Sequence, residues 1–269
     1  MKLYLFLINL LTLSILQVSA QSINFSNENF AFEVKQIDEF IERFNNSEKT
    51  LINQYLKENY SAEDISRSDL IKSLFNQSDK SWNLNELGEF IKQVNNKPYM
   101  LHFDDEDWYA KLNCTVNFQG DEIPMTMIMS IEKNPQNNAV KWVITSVDAD
   151  FLNMPESSDK SKSINPASHG TNFVSLDRAL EDTSNMKNYV SKSFIPDQLT
   201  LFMSLLSCKS VSIKQVDKIE YHFLQIAGWT FTVKNFERNE KNSGWLISSL
   251  KKMDDHQKIE FKKRVLNLK

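Results

Sequence analysis

Apolar residues return every three or four positions at Ile37, Phe40, Ile41 and Phe44, again at Leu70, Ile71, Leu74 and Phe75, and again at Leu84, Leu87, Phe90, Ile91 and Val94. That spacing lays one apolar stripe along a helix, and it predicts three helices in succession. After Asn95-Asn96 the period drops to two. Leu112, Cys114, Val116 and Phe118 alternate with polar neighbours, as do Met125, Met127, Met129 and Ile131, and Trp142 and Ile144 open a run to Phe151. Counting Pro98 to Phe103, the pattern predicts four strands after the three helices.

The second half repeats the plan. Helices are expected near Phe173 to Leu180, Met186 to Val190 and Asp197 to Leu206, the last with Pro196 at its first turn. Strands are expected near Val211 to Val216, Ile219 to Ile226, Trp229 to Phe236 and Trp245 to Leu250. Two strings align across the halves: Leu87, Phe90, Ile91 and Val94 with Leu199, Phe202, Met203 and Leu206, and WVITSV from Trp142 with WLISSL from Trp245. Such self-similarity predicts a tandem duplication. Between the halves, residues 154–172 hold two prolines, five serines and one glycine with almost no apolar content, which reads as a linker.

Ahead of all this stands Lys2, an apolar run from Leu3 to Leu16, and the triplet Val18-Ser19-Ala20. This is the order of regions in a cleavable secretory signal over residues 1–20, with mature protein expected from Gln21. The apolar run is too short for a membrane span, and no later stretch approaches the roughly 20 residues one needs. The expectation is an exported, soluble chain, periplasmic or extracellular if the source is bacterial. The first domain then covers 21–153, the linker 154–172, the second domain 173–254, and a basic tail 255–269.

Charge changes the picture once. From Gln21 to Asn153 there are 22 acidic and 12 basic side chains, net −10, against 13 and 18 in Met154 to Lys269, net +5. The halves are complementary and are expected to pack on each other, while the acidic total argues against nucleic acid as a partner. Five glycines in 269 residues, with no GxGxxG or P-loop string, argue against a phosphate-cradling loop. The spacing of Cys114 and Cys208 predicts neither a disulfide nor a free pair.

Three helices followed by a curved antiparallel sheet of about four strands, twice over, resembles the cone-shaped α+β domain of the nuclear transport factor 2-like superfamily. The helix VKQIDEFIERFNN from Val34 to Asn46 and the closing Trp-bearing strands are most similar to two-domain exported members of gut Bacteroides without assigned activity. The resemblance implies two tandem cones, each able to enclose an apolar pocket, with a carboxylate or histidine as base in the members that are enzymes.

Candidate chemistry is thin. His102, Tyr109, Tyr221 and His222 fall on expected strands, but adjacent strand residues face opposite ways, so Tyr221 and His222 cannot share a pocket. Asp104, Asp105, Glu106 and Asp107 cluster carboxylates without the spacing of a calcium loop and read as a solvated hairpin tip. No cofactor or metal site is expected. The ligand-facing candidates are Trp142, Tyr221, His222, Trp229 and Trp245, with ordinary core packing as the competing reading of the aromatics. The resulting expectation is a non-enzymatic module for an unidentified small molecule or protein; the alternative is a hydro-lyase or isomerase using a pocket carboxylate or histidine. The basic tail either docks on the acidic half or frays into solvent.

Overall fold

The computed structural model describes residues 32–268 except 47–50, 61–65, 97–98, 154–155, 160, 165–175 and 182. The expected signal segment and part of the expected linker lie outside the described residues.

Helices α1 (Ile37–Phe44), α2 (Leu51–Tyr60), α3 (Arg67–Ser73) and α4 (Leu84–Asn96) precede strands β1 (Trp108–Phe118), β2 (Asp121–Lys133) and β3 (Val140–Asp148). The second half supplies α5 (Leu176–Glu181), a 3-10 turn (Thr183–Tyr189), α6 (Gln198–Ser207), then β4 (Val211–Phe223), β5 (Trp229–Phe236) and β6 (Gly244–Lys252), and closes with α7 (Asp255–Val265).

The fold is α+β, but the six strands form one antiparallel sheet in the order β3-β2-β1-β4-β5-β6. This corrects the expectation of two tandem four-stranded cones. Each half contributes three strands, and the halves join along β1 and β4, paired from Trp108 opposite Phe223 to Phe118 opposite Val211. One expected strand, up to Phe103, is not a strand in its described residues, and Val211–Val216 and Ile219–Ile226 merge into β4. The merger has a physical cause. Bulges beside Cys114 and Val116 of β1 step Asp217 and Lys214 out of register, so an interrupted alternation belongs to one strand.

One continuous sheet across both halves is not what two superposable domains would give, but the two aligned strings occupy equivalent places in it. β3 and β6 are the two outer strands, and each carries a bulge at the same place in the aligned strings. The displaced residue is Thr145 in one and Ser248 in the other. Thr145 Oγ1 donates to Ile128 O at 3.1 Å, and Ser248 Oγ donates to Thr232 O at 3.1 Å.

The helices that cover the sheet are exchanged between halves. Phe40 and Phe44 of α1 stack on Phe223 and Phe231 of the second-half strands, and Phe90 of α4 meets Phe231 and Trp229 edge-on. Conversely, fully buried Phe202 of α6 packs with Cys114, Val116, Met125, Met127 and Val147 of the first-half strands. Both clusters lie on one face of the sheet, which we call the inner face. Pro196 is not in the first turn of α6, because Asp197 is the cap and the helix begins at Gln198.

The outer face is covered at its centre by α7, which is neither frayed nor a simple tail. Asp254 and Gln257 form a capping box at its start. Leu266 packs with Tyr109, Ile128 and Leu224, and the buried Lys258 Nζ donates to Leu224 O and Ile226 O at 2.6 and 2.7 Å. Among the described residues, ion pairs between a second-half lysine and a first-half acid join the halves, as in Lys262 with Asp107, Lys252 with Glu89 and Lys214 with Glu122. These are substantially exposed, so each contributes only about 0–1 kcal/mol. The apolar clusters and the β1–β4 ladder bind the halves together.

Candidate functional site

Register assigns the inner face residue by residue. On β1 it carries Trp108, Ala110, Leu112, Cys114, Val116 and Phe118; on β2, Met125, Met127, Met129 and Ile131 with Ile123, flanked at the strand ends by Asp121 and Lys133; on β3, Val140, Trp142, Ile144 and Val147. On β4 the bulges keep Val211, Ile213, Val216, Ile219, Tyr221 and Phe223 inward. Regular alternation from Ile219 would have turned Asp217 toward this face.

The two helical layers cover opposite ends of that surface. Between them Leu112, Met129, Ile144 and Ile219 are half-buried, and Val216 and Ile213 are 45% and 43% exposed. A row of rings borders this strip. Trp142 lies 4.6 Å from Trp108 in an edge contact and 6.2 Å from Tyr221, and Tyr221 lies 5.0 Å from Trp245. These residues sit on β3, β1, β4 and β6. Neighbouring strands stand about 4.8 Å apart, so rings from strands three positions apart meet only because the side chains converge inward across a bent sheet.

The polar tips of the row separate its members. Trp82 Nε1 donates to Asn76 O, Trp108 Nε1 to Phe103 O, and Trp229 Nε1 to Gln93 Oε1. The half-buried Trp142, Tyr221 and Trp245 have no hydrogen-bond partner for their ring N–H or O–H among the described residues. Burial raises the Tyr221 phenol and the Cys114 thiol above their ordinary values, so both face inward in the neutral form.

The structure therefore brings together three of the five sequence candidates, Trp142, Tyr221 and Trp245. Trp229 is sealed in the core against Phe90, with Lys252 over its ring. His222 faces the other way, under α7, 5.6 Å from the Phe261 ring. Its Nδ1 shares a 3.1 Å hydrogen bond with Thr232 Oγ1, while Nε2 is buried without a partner, 3.9 Å from Glu220 Oε2. Burial lowers its pKa to about 4, with Glu220 opposing and Lys111 and Lys234 assisting. Burial also works against ionisation of Glu220, but hydrogen bonds from Lys218 and Lys234 hold its carboxyl below the usual value. Tyr109 is likewise an outer-face residue, with Lys262 above its ring. His102 is exposed outside the sheet, and its backbone is held by Gln225.

The acidic run is the turn leading into β1, not the tip of a hairpin. Asp104 pairs with Lys133 at 2.8 Å, Asp107 with Lys262 at 2.5 Å, and Asp105 accepts from the Asp107 backbone. Among the described residues no group of three or more His, Cys, Asp and Glu is arranged to hold a metal ion, and no helix is long and apolar enough to cross a membrane. Cys114 and Cys208 are free thiols.

Trp108 and the floor residues Ile144 and Ile219 were not singled out by sequence reasoning as site residues. The available signal was the period-two alternation through residues 108–131, which marks a face but not whether a helix covers it. Comparison with known proteins gives no family model, no curated protein and no solved structure that matches this chain.

Proposed function

We propose that the chain is an exported binding protein without catalytic chemistry, and that it binds along the half-covered strip bordered by Trp142, Tyr221 and Trp245. One observation carries this reading: an apolar sheet face is normally sealed by the layer packed on it, and here the strip between α4 and α6 is left accessible with three unbonded ring donors at its border. Export rests on the sequence of residues 1–20. The resemblance to the nuclear transport factor 2-like superfamily rests on helices preceding three antiparallel strands in each half of the shared sheet. A hydro-lyase or isomerase would need a carboxylate or imidazole beside the ligand, whereas Glu220 and His222 belong to the outer face.

The test is a thermal-shift screen of the mature chain against a small-molecule library, repeated with Trp142→Ala and Trp245→Ala. Ligands of the strip raise the melting temperature of the parent and lose that effect in both variants. A screen without ligands, or ligands indifferent to both substitutions, refutes the proposal.

A further inference from the structure

The inner face has a property that the row of rings alone does not convey. Within the strip of Leu112, Met129, Ile144, Ile213, Val216 and Ile219, register places no charged residue; the two that β2 carries on this face, Asp121 opposite Phe118 and Lys133 opposite Val140, stand at its two ends, and Lys133 pairs with Asp104. Between those ends the face presents Trp, Phe, Leu, Ile, Val, Met and Ala, together with the neutral phenol of Tyr221 and the neutral thiol of Cys114. The same strands are heavily charged on the outer face, where Lys111, Glu220 and Lys234 stand side by side across β1, β4 and β5. The bulges of β4 keep charge off its part of the strip, because they turn aside Asp217, whose carboxylate instead accepts from Thr115 Oγ1 at 2.7 Å. Lys214 is turned aside in the same way and pairs with Glu122.

From this we infer that the strip selects an uncharged, largely apolar small molecule bearing an acceptor oxygen such as a ketone or ether. The inference rests on the binding reading given above and adds the chemistry of the ligand. An ionised group seated within the strip would lose its hydration and meet no counter-charge there, a cost no apolar contact nearby offsets. An uncharged body gains from contact with Leu112, Met129, Ile144 and Ile219. The free groups at the border are two indole N–H donors and one phenol. Indole only donates, so the polar group it rewards on a ligand is an acceptor.

Two fluorescent probes of similar size separate the alternatives: Nile red, which is neutral and carries a carbonyl, and 1-anilinonaphthalene-8-sulfonate, which is apolar but anionic. The protein is the mature chain from Gln21. Nile red is expected to bind one per chain, at least tenfold more tightly than the sulfonate. Trp142→Phe and Trp245→Phe keep a ring in place and remove only the N–H, and at least one is expected to weaken Nile red by roughly 3- to 10-fold, the loss typical of one hydrogen bond. Near-ultraviolet circular dichroism of each variant verifies that the fold persists. Equal or tighter binding of the sulfonate, lost in Trp142→Ala, overturns the neutral-ligand inference while leaving the strip a binding site. Nile red binding that neither Phe substitution weakens overturns the acceptor requirement. If neither probe binds, or both bind regardless of Trp142→Ala and Trp245→Ala, the binding reading itself fails.

Discussion

Replacing Gly244 with alanine should be among the most damaging single changes in the chain, and its cost can be built from two separate parts. Gly244 opens β6 at φ +81°, in the left-handed region, where a side chain costs about 1–2 kcal/mol. A Cβ there would also stand 2.0 Å from Val34 O and 2.6 Å from the Val34 carbonyl carbon. Those are backbone atoms and cannot rotate aside. Relief requires the segment before α1 to leave the edge of β6, breaking Val34 N–H to Ser243 O (3.1 Å) and Trp245 N–H to Val34 O (2.8 Å). At about 1 kcal/mol for each backbone hydrogen bond, the sum is about 3–4 kcal/mol. For a chain of this size that lowers the melting temperature by roughly 6–16 °C. Gly228 provides the control, since its φ is +76° but nothing lies within 4 Å of an added Cβ. Gly228→Ala should therefore lose only about 1–2 kcal/mol. Urea unfolding of both variants with a common m-value checks the difference. Equal losses at the two positions would refute the steric argument and leave only the conformational one.

Phe202→Ala removes the fully buried ring of α6 from the first-half strands and should cost about 3–5 kcal/mol in urea unfolding; a loss below about 1 kcal/mol would mean that α6 is not what seals that end of the sheet. The isolated segment 21–153 should lack a cooperative unfolding transition, because α1 and α4 would lose Phe223, Phe231 and Trp229 and β1 would lose β4; dispersed amide signals and a sharp melt for that segment would refute the exchange of helical layers. Acid should weaken the fold through His222. Its folded pKa of about 4 lies below the unfolded 6.5, so the unfolded chain binds the proton first. Stability is then full above pH 6.5 and falls by about 1.4 kcal/mol per pH unit toward pH 4. His222→Gln should flatten that segment of the stability–pH curve, and an unchanged slope would show that His222 is not responsible.

What could be read from the sequence was what local spacing determines. The apolar stripes of α1, α3 and α4, the alternation of β1 and β2, and the kinship of WVITSV with WLISSL all depend on neighbours a few residues away. The shared Thr145 and Ser248 of those strings even occupy equivalent bulges. The partnership of β1 with β4 depends on residues about a hundred positions apart, and nothing in either strand's alternation excludes a separate sheet for each half. α7 escaped notice because its outward face is basic and its inward residues, Lys258, Phe261 and Leu266, include a lysine that is buried by bonding two carbonyls. Trp142, Tyr221 and Trp245 could be picked out as large rings on strands. Their difference from Trp229 could not, because burial under Phe90 and an acceptor in Gln93 Oε1 are properties of a helix 136 residues earlier in the chain.

The half-covered strip follows from the way the repeat is unequal. The sheet itself is nearly symmetric about the β1–β4 ladder, three strands to each side, with matching bulges on the outer strands. Its cover is not. The first half sends α1, α3 and α4 over β4, β5 and β6, joined at their ends by Arg67, whose guanidinium donates to the carbonyls of Phe44, Val94 and Tyr99. The second half sends α6 over β1, β2 and β3, with the preceding α5 contributing no buried residue. A layer of three helices seals its end of the sheet, whereas a single ten-residue helix reaches only the far ends of its strands, leaving 48% exposed Met203 at its margin. A pure folding requirement would select polar residues for the surface left between them, as it does on the outer faces of β1 and β4. Instead the β4 bulges turn Asp217 and Lys214 away from it and leave the strip apolar. Preserving an uncharged surface where the helical cover is incomplete is what a binding strip requires and what a merely structural sheet does not.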